Sequence, residues 1–520
     1  MDVNLEKRPS SSALRSFPRR ILDAPWSCPA ILALLLVSES VNLALQAGRK
    51  MFWFDELLTL HITGLKPFSV VLQALHAGLA GMTPGYYGMV GLSRSLPGDP
   101  HLLLRLPSLA GYTLTLLAAY LFASRRLSAA AGLVAALLIA LSPFRQYAVE
   151  ARSYAPLVGC FALAAVLWQR IGDRRFLTPP FAVVLALAVS LHHLAVVGIS
   201  LFGLAELMRT WLSRRIRRGV WIAFVAATLP FLANLPILLH FKSLFGGHFW
   251  APPKWGLLVG GYYTFTGLER GAIGLVCIPL ALFALVLGRF LWKSLRDPAA
   301  AMSPSGFQPP EVALIGGFIF YPALLLALAI MFHSGYTPRY GWPAIFGLSL
   351  GVVYLLGGVR QAPRMGTLLG ALLLAFAVQS VNDLGKIPGS GPLEDERWGS
   401  VARLSREHPG LPVVMENPMQ LVEALQYGPP ALRAQLVGFA DPDLAVQGMG
   451  TNSRDLSVTL LAKFVPLRVE DHTGFENAHR TFLFQTGNEI AWPTRYLLSR
   501  SYRLTLLAMD HGGAVYLAER

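Results

Sequence analysis

Apolar runs of about twenty residues recur from about residue 26 to residue 381 of this 520-residue chain. That length carries an α-helix across the hydrocarbon core of a bilayer. Charged residues make up 14% of the sequence, where an ordinary soluble protein has about 25%, and the mean hydropathy is +0.50. These features exclude a soluble multidomain enzyme and specify a polytopic α-helical membrane protein. Disorder and coiled coil do not suit a chain with 11% aromatic residues and 36 prolines. The net charge of +15 comes mostly from short arginine clusters between apolar segments. Such clusters encode membrane orientation, so nucleic acid is not an expected partner. Cys28, Cys160 and Cys277 all lie in apolar segments and offer neither a disulfide framework nor a Cys-based zinc site.

Lys7, Arg8, Arg15, Arg19 and Arg20 make residues 1–25 a basic tail that the charge rule keeps in the cytoplasm. The first apolar run, 26–46, lacks a convincing cleavage site, so no removable signal peptide is read there. Further spans are predicted at about 103–123, 128–142, 154–169, 220–240, 271–291, 311–332, 341–358 and 365–381. The stretch from Pro179 to Met208 has Arg174 and Arg175 before it and Arg209, Arg214, Arg215, Arg217 and Arg218 after it. Basic clusters on both flanks predict a short hairpin turning at His192-His193; one long tilted span is the rival. Counted as two helices, it brings the total to about eleven spans in a membrane domain of residues 26–385, N-terminus inside and C-terminus outside. Residues 388–520 are of mixed polarity. Short apolar runs at 412–415, 481–484, 504–509 and 514–517 read as strands, and 397–408 and 418–427 as helices. They predict a C-terminal α/β domain on the outer face.

The polar constellations gather on that outer side. The loop of residues 48–101 contains Phe52-Trp53-Phe54-Asp55-Glu56, an aromatic cluster leading into two carboxylates. Adjacent residues on a helix point about 100° apart, so only one of the two acids can face a given cavity. A carboxylate there can act as a general base for a hydroxyl nucleophile, or merely decorate a helix start. In the second loop Ser142 and Pro143 predict a helix that sets Arg145 and Arg152 on one face and Tyr147, Glu150 and Tyr154 on another. Arginines at a membrane surface suit a lipid phosphate, or an ion pair that holds the loop. The loop His333–Tyr340 adds Arg339, and the loop of residues 241–269 adds Lys242, His248, Trp250, Lys254 and Trp255. His192 and His193 read as ligands for metal or phosphate, or as satisfied interfacial histidines. No P-loop and no G-x-G-x-x-G is present, and Asp441-Pro442-Asp443 reads as a turn.

Asp55-Glu56 stands with Thr83-Pro84-Gly85-Tyr86-Tyr87, Arg105-Leu106-Pro107-Ser108, Ser142-Pro143, Glu150-Ala151-Arg152-Ser153-Tyr154 and Arg339-Tyr340. In this ordered set, over about residues 26–385, the chain resembles the GT-C glycosyltransferases. Within them it is most similar to the dolichyl-phosphate-mannose protein mannosyltransferase and aminoarabinose transferase superfamily. The resemblance implies transfer of a hexosyl or pentosyl group from a polyprenyl-phosphate-linked sugar to a hydroxyl of a lipid, glycan or protein. It implies the outer face of a bacterial-type inner membrane as the place of reaction. By the same resemblance Asp55 is the general base and Glu56 its helper. Glu150, Arg152, Tyr154, Arg339 and Tyr340, with Tyr86, Tyr87, His192 and His193, line the lipid-phosphate and substrate region. A divalent metal is compatible with this chemistry, but no ligand set is legible. The aminoarabinose transferases carry Glu-Lys-Pro-Pro where this chain has Met82-Thr83-Pro84-Gly85, so a donor-phosphate lysine is missing there.

Two other classes are open on sequence. A transporter or flippase of a lipid-linked saccharide would favour ionisable groups at mid-membrane, of which Glu39 is the clear case, and paired halves with broken helices. A scaffold would use the membrane part only to anchor its outer domain.

Overall fold

The computed structural model describes residues 27–268, 273–296, 308–357, 362–387, 398–487, 491–510 and 512–520. The basic tail 1–25 and the acidic segment 394–397 lie outside the described residues. The first apolar run becomes α1 (Ser27–Arg49). The loop after it folds into three short helices, α2 (Phe54–Gly64), α3 (Phe68–His76) and α4 (Pro84–Arg94). α5 (Pro100–Ser124) starts where the Asp99 carboxylate accepts from Leu102 N, and α6 (Ala129–Ala140) where Ser128 Oγ accepts from Ala131 N. There follow α7 (Tyr154–Arg170), α8 (Thr178–Leu191), α9 (Ala195–Ser213), α10 (Arg218–Phe245) and α11 (Gly256–Thr266). α12 (Ile273–Arg296), α13 (Pro309–Met331), α14 (Ala344–Gly357) and α15 (Ala362–Gly385) complete the bundle.

Among the described residues six helices are long and apolar enough to cross a bilayer, and a seventh counts if α6 and the 3-10 turn after it form one span bent by 70°. The eleven spans read from the sequence are therefore not all of crossing length. α6, at 12 residues, reaches only about 18 Å against a core of about 30 Å. It lies buried among its neighbours along nearly its whole length. α5 and α7 approach closely because both present glycine at the crossing. A Cβ on Gly111 would sit 2.4 Å from Pro156 Cα, and one on Gly159 2.5 Å from the Gly111 carbonyl oxygen.

The Pro179–Met208 stretch breaks at His192, between α8 and α9. Glu206, in the second half of α9, accepts from Trp168 Nε1 at the end of α7 and from Arg217 just before α10. Thr178 at the start of α8 packs on Gly219 at the start of α10. Both arginine clusters are therefore at one end of the bundle, and α8 and α9 run away from it and back. Arg126 and Glu311 join the end of α5 to the start of α13 at the same end. Glu206 and Glu311 are thus buried acids besides Glu39, and each is paired with arginine.

Beyond the bundle come α16 (Gly399–Glu407), β1 (Val413–Met415), α17 (Pro418–Tyr427), α18 (Pro430–Gln435) and β2 (Leu436–Phe439). They are followed by α19 (Pro442–Met449), α20 (Ser453–Leu461), β3 (Val469–Glu470) and α21 (His472–Ala478). β4 (Thr481–Gln485), α22 (Trp492–Ser499), β5 (Arg503–Asp510) and β6 (Gly513–Glu519) end the chain. The sheet order is β3-β2-β1-β4-β6-β5, with the first four strands parallel and β6 antiparallel to both neighbours. β2 and β3 were not among the strands expected from the sequence. Asp441-Pro442-Asp443 caps α19, with the Asp441 carboxylate accepting from Asp443 N and Leu444 N.

Candidate active site

Trp53, in extended conformation, precedes α2 and sets Asp55 and Glu56 in its first turn. As the 100° spacing requires, the two acids part. Glu56 turns inward, is fully buried, and accepts from Arg105 Nε and Nη2, both at 2.7 Å. It also accepts from Ala151 N at 2.7 Å. Arg105 spends its remaining donors on the carbonyls of Ala47 (2.5 Å), Lys50 (2.6 Å) and Met51 (3.1 Å). Glu56 is therefore a tie that holds the end of α1, the start of α2 and the loop before α7 together.

Asp55 points the other way, towards two arginines that stand over aromatic rings. Its Oδ2 lies 3.0 Å from Arg152 Nη1 and 3.4 Å from Arg339 Nη1. Both guanidiniums stand over the rings of Trp53 (5.9 and 6.0 Å) and Tyr154 (5.7 and 5.9 Å), and Arg339 also over Trp250 (5.5 Å). Nε of each arginine is buried and has no hydrogen-bond partner among the described residues. Two cations facing one carboxylate leave an uncompensated positive charge with donors to spare.

The backbone around Arg152 is pinned from three sides. Ala151 N donates to Glu56, Ser108 Oγ on α5 donates to the Arg152 carbonyl, and Thr59 Oγ1 on α2 reaches the Ala151 carbonyl. This segment corrects the helix expected from Ser142 onward. Ser142 does cap, with Phe144 N donating to its Oγ, but the turn is a 3-10 helix over Pro143–Val149. Glu150 is extended, and α7 begins only at Tyr154. Arg145 and Arg152 consequently share no face. Arg145 is drawn to Glu39 and Asp383, and only Arg152 reaches Asp55. Glu150 pairs with Lys50 Nζ at 3.5 Å; burial raises its pKa, against the pull of Lys50.

Arg339 sits in the 3-10 turn Pro338–Gly341 after α13. Tyr340 N donates to the Thr337 carbonyl, and Tyr336 N donates to the Ala251 carbonyl in the loop that carries Trp250. Tyr340 lies 6.3 Å from Tyr154 and 5.6 Å from His192, ring to ring, and burial pushes its phenol up to about 12. His192 is buried with Nδ1 accepting from Leu194 N. Burial, then the charges of His193, Arg152 and Arg339, keep it well below the usual histidine range, so it is a neutral imidazole. His193 stacks on it at 4.8 Å and is lowered to about 4 by burial. Tyr86 and Tyr87, buried at the start of α4, meet edge to face at 5.4 Å; Asp55 and Arg152 both bear electrostatically on the Tyr87 phenol. The structure thus gathers Asp55, Arg152, Tyr154, Arg339, Tyr340 and His192, with Tyr87 in electrostatic reach, and assigns Glu56 and Glu150 to ion pairs. Trp53 and Trp250 were legible only as interfacial aromatics. Among the described residues no three His, Cys, Asp or Glu side chains form a metal-binding group.

No protein-family model matches the chain, and no curated protein sequence matches it significantly. It is similar to solved structures. The first is ArnT from Cupriavidus metallidurans bound to undecaprenyl phosphate, at 15% identity and TM-score 0.51, with 95% of this chain and 98% of that one covered. The apo state of ArnT follows at 16% identity and TM-score 0.46, covering 93% and 96%. The oligosaccharyltransferase AglB from Archaeoglobus fulgidus, in complex with an inhibitory peptide and a dolichol-phosphate, is at 13% and 0.41, covering 96% and 75%. The match to the lipid-bound ArnT extends across the bundle and the outer domain alike, and over nearly its whole length this chain has the GT-C fold.

Proposed function

We propose that the chain is a membrane glycosyltransferase that moves a sugar from a polyprenyl-phosphate donor to an acceptor hydroxyl on the outer face of the membrane. The observation that carries this reading is the Asp55–Arg152–Arg339 cluster, with one carboxylate, two arginines and unfilled guanidinium donors. A lipid phosphate supplies the missing negative charge, and the guanidinium fork matches its oxygens. The undecaprenyl phosphate in the ArnT structure supports that choice of ligand class.

The acceptor oxygen attacks the anomeric carbon while its proton passes to Asp55. The bond from that carbon to the phosphate oxygen breaks, and the electron pair leaves with the polyprenyl phosphate, which Arg152 and Arg339 stabilise. Glu56 and Glu150 are occupied elsewhere, so the displacement is single and inverts the anomeric centre. Glu56 acts as a positioning residue. No nucleotide is required, in keeping with the missing nucleotide motifs.

The test incubates full-length protein with synthetic undecaprenyl-phosphate pentoses and hexoses and a membrane extract as acceptor. Release of undecaprenyl phosphate by wild type, reduced about 10²- to 10⁴-fold in Asp55→Asn, supports the reading. Movement of intact lipid-linked sugar across the bilayer without release indicates a flippase instead.

A further inference from the structure

The outer domain packs α17 against α2, and it reaches the backbone ahead of Asp55 through the Tyr427 hydroxyl. At the end of α17, the Tyr427 hydroxyl accepts from Phe52 N at 2.6 Å and shares a 3.2 Å hydrogen bond with His101 Nε2. The Phe52 ring stacks on His101, centroids 4.4 Å apart at 15°, and Arg105 Cζ stands 4.7 Å from its centre. Arg105 in turn holds Glu56 and the Lys50 and Met51 carbonyls. Every other hydrogen bond just described comes from within the membrane bundle. Phe52 is three residues from Asp55, and its amide belongs to the extended stretch that launches α2. An amide left without its partner there would cost the loop its fixed path.

We propose that Tyr427 is a positioning residue for Asp55: its hydroxyl locks the Phe52 amide and His101, and so couples the outer domain to the geometry of the base. This rests on the transferase reading for its consequence in turnover, but the coupling itself is a statement about Asp55 and can be read without any donor. The role differs from simple stabilisation of the outer domain, because Tyr427 donates nothing to that domain's own sheet. Tyr502 supplies the contrast. It is buried in the outer domain, and its hydroxyl donates to the His479 carbonyl at 2.8 Å, with no contact to the loop.

The experiment uses the full chain in detergent or nanodiscs and compares wild type, Tyr427→Phe, Tyr427→Ala and Tyr502→Phe. Asp55 is labelled with a water-soluble carbodiimide and glycine ethyl ester, and the rate is followed by peptide mass spectrometry. Loss of one hydroxyl contact is expected to change that rate about 3- to 10-fold in Tyr427→Phe, with a larger change in Tyr427→Ala and none in Tyr502→Phe. With any undecaprenyl-phosphate sugar that wild type accepts, kcat of Tyr427→Phe falls by a similar factor while KM for the donor stays within about twofold. Melting of Tyr427→Phe matches that of Tyr502→Phe. Unchanged Asp55 labelling in both Tyr427 variants overturns the proposal, as does an equal change in Tyr502→Phe. If wild type releases no undecaprenyl phosphate, the transferase reading fails while the labelling arm still decides the coupling.

Discussion

Arg105 and Glu56 face each other through two hydrogen bonds, each 2.7 Å long, at a position where neither side chain is exposed to solvent. A buried pair of this kind contributes little net stability, but removing one partner strands the other charge and costs about 3–5 kcal/mol. Glu56→Gln is therefore expected to lower the melting temperature sharply. Asp55→Asn, at a side chain 20% exposed, should lose less, although it leaves Arg152 and Arg339 without their counter-charge. Thermal unfolding of the two variants in one detergent checks the contrast. A stable Glu56→Gln protein that loses only turnover would return Glu56 to the chemistry.

Arg152 and Arg339 share Asp55 and two aromatic faces, yet their settings differ. Arg152 lies in a backbone segment fixed by Glu56, Thr59 and Ser108, whereas Arg339 sits in a four-residue turn. Arg152→Ala and Arg339→Ala should each weaken undecaprenyl phosphate binding and slow cleavage of the bond between the sugar and the departing phosphate. Arg→Lys should rescue in part, because an ammonium is a point charge without the planar fork. Microscale binding of undecaprenyl phosphate, alongside melting, measures both effects. Unaltered lipid binding in a well-folded Arg152→Ala protein removes that residue from the phosphate site.

Much of this arrangement was legible in the sequence, and the failures have physical causes. The 100° step between neighbours on a helix separates Asp55 from Glu56 in the sequence alone, and arginine clusters on both flanks place the break at His192-His193. Arg145 was misassigned because the Ser142-Pro143 start is shared by α-helices and 3-10 turns, and only the tertiary pull of Glu39 and Asp383 decides between them. Trp250 was placed on the outer side with its loop, but its contact with Arg339 and the part played by Tyr427 were out of reach for a different reason. Each arrives at the site from a separate part of the chain, and periodicity reports only local neighbours. β2 and β3 are four and two residues long, below the length at which alternation is readable.

His193, half-buried, adds a pH dependence whose sign follows from the desolvation of its ring. Its pKa in the folded protein is about 4, below the ordinary 6.5, so the unfolded chain binds more protons between those values. Its contribution to stability is complete above about pH 6.5 and is lost as the pH falls towards 4. Melting of wild type should therefore drop from pH 7 to pH 4.5 more steeply than that of His193→Gln, which carries no titrating ring. Parallel curves for the two proteins would show that the half-buried His193 ring is not held neutral.

The antiparallel course of α8 and α9 makes a prediction about sidedness. Thr178 meets Gly219, and Trp168 and Arg217 meet on Glu206, so the exposed Arg175 and Arg215 must lie on the same side of the membrane. The charge rule makes that side cytoplasmic. Lys254, exposed in the loop beside Trp250, belongs to the opposite side with the Asp55–Arg152–Arg339 cluster. Single cysteines at these three positions, in a background with Cys277→Ser, should respond differently to a membrane-impermeant maleimide added to intact cells. Cys28 and Cys160 are buried and should stay silent. Lys254→Cys should label at once, and Arg175→Cys and Arg215→Cys only after permeabilisation. Labelling of both arginine positions with protection at 254 would keep the hairpin and invert the protein. Opposite behaviour of 175 and 215 would mean that the stretch between them crosses the membrane once, which the Glu206 contacts do not allow.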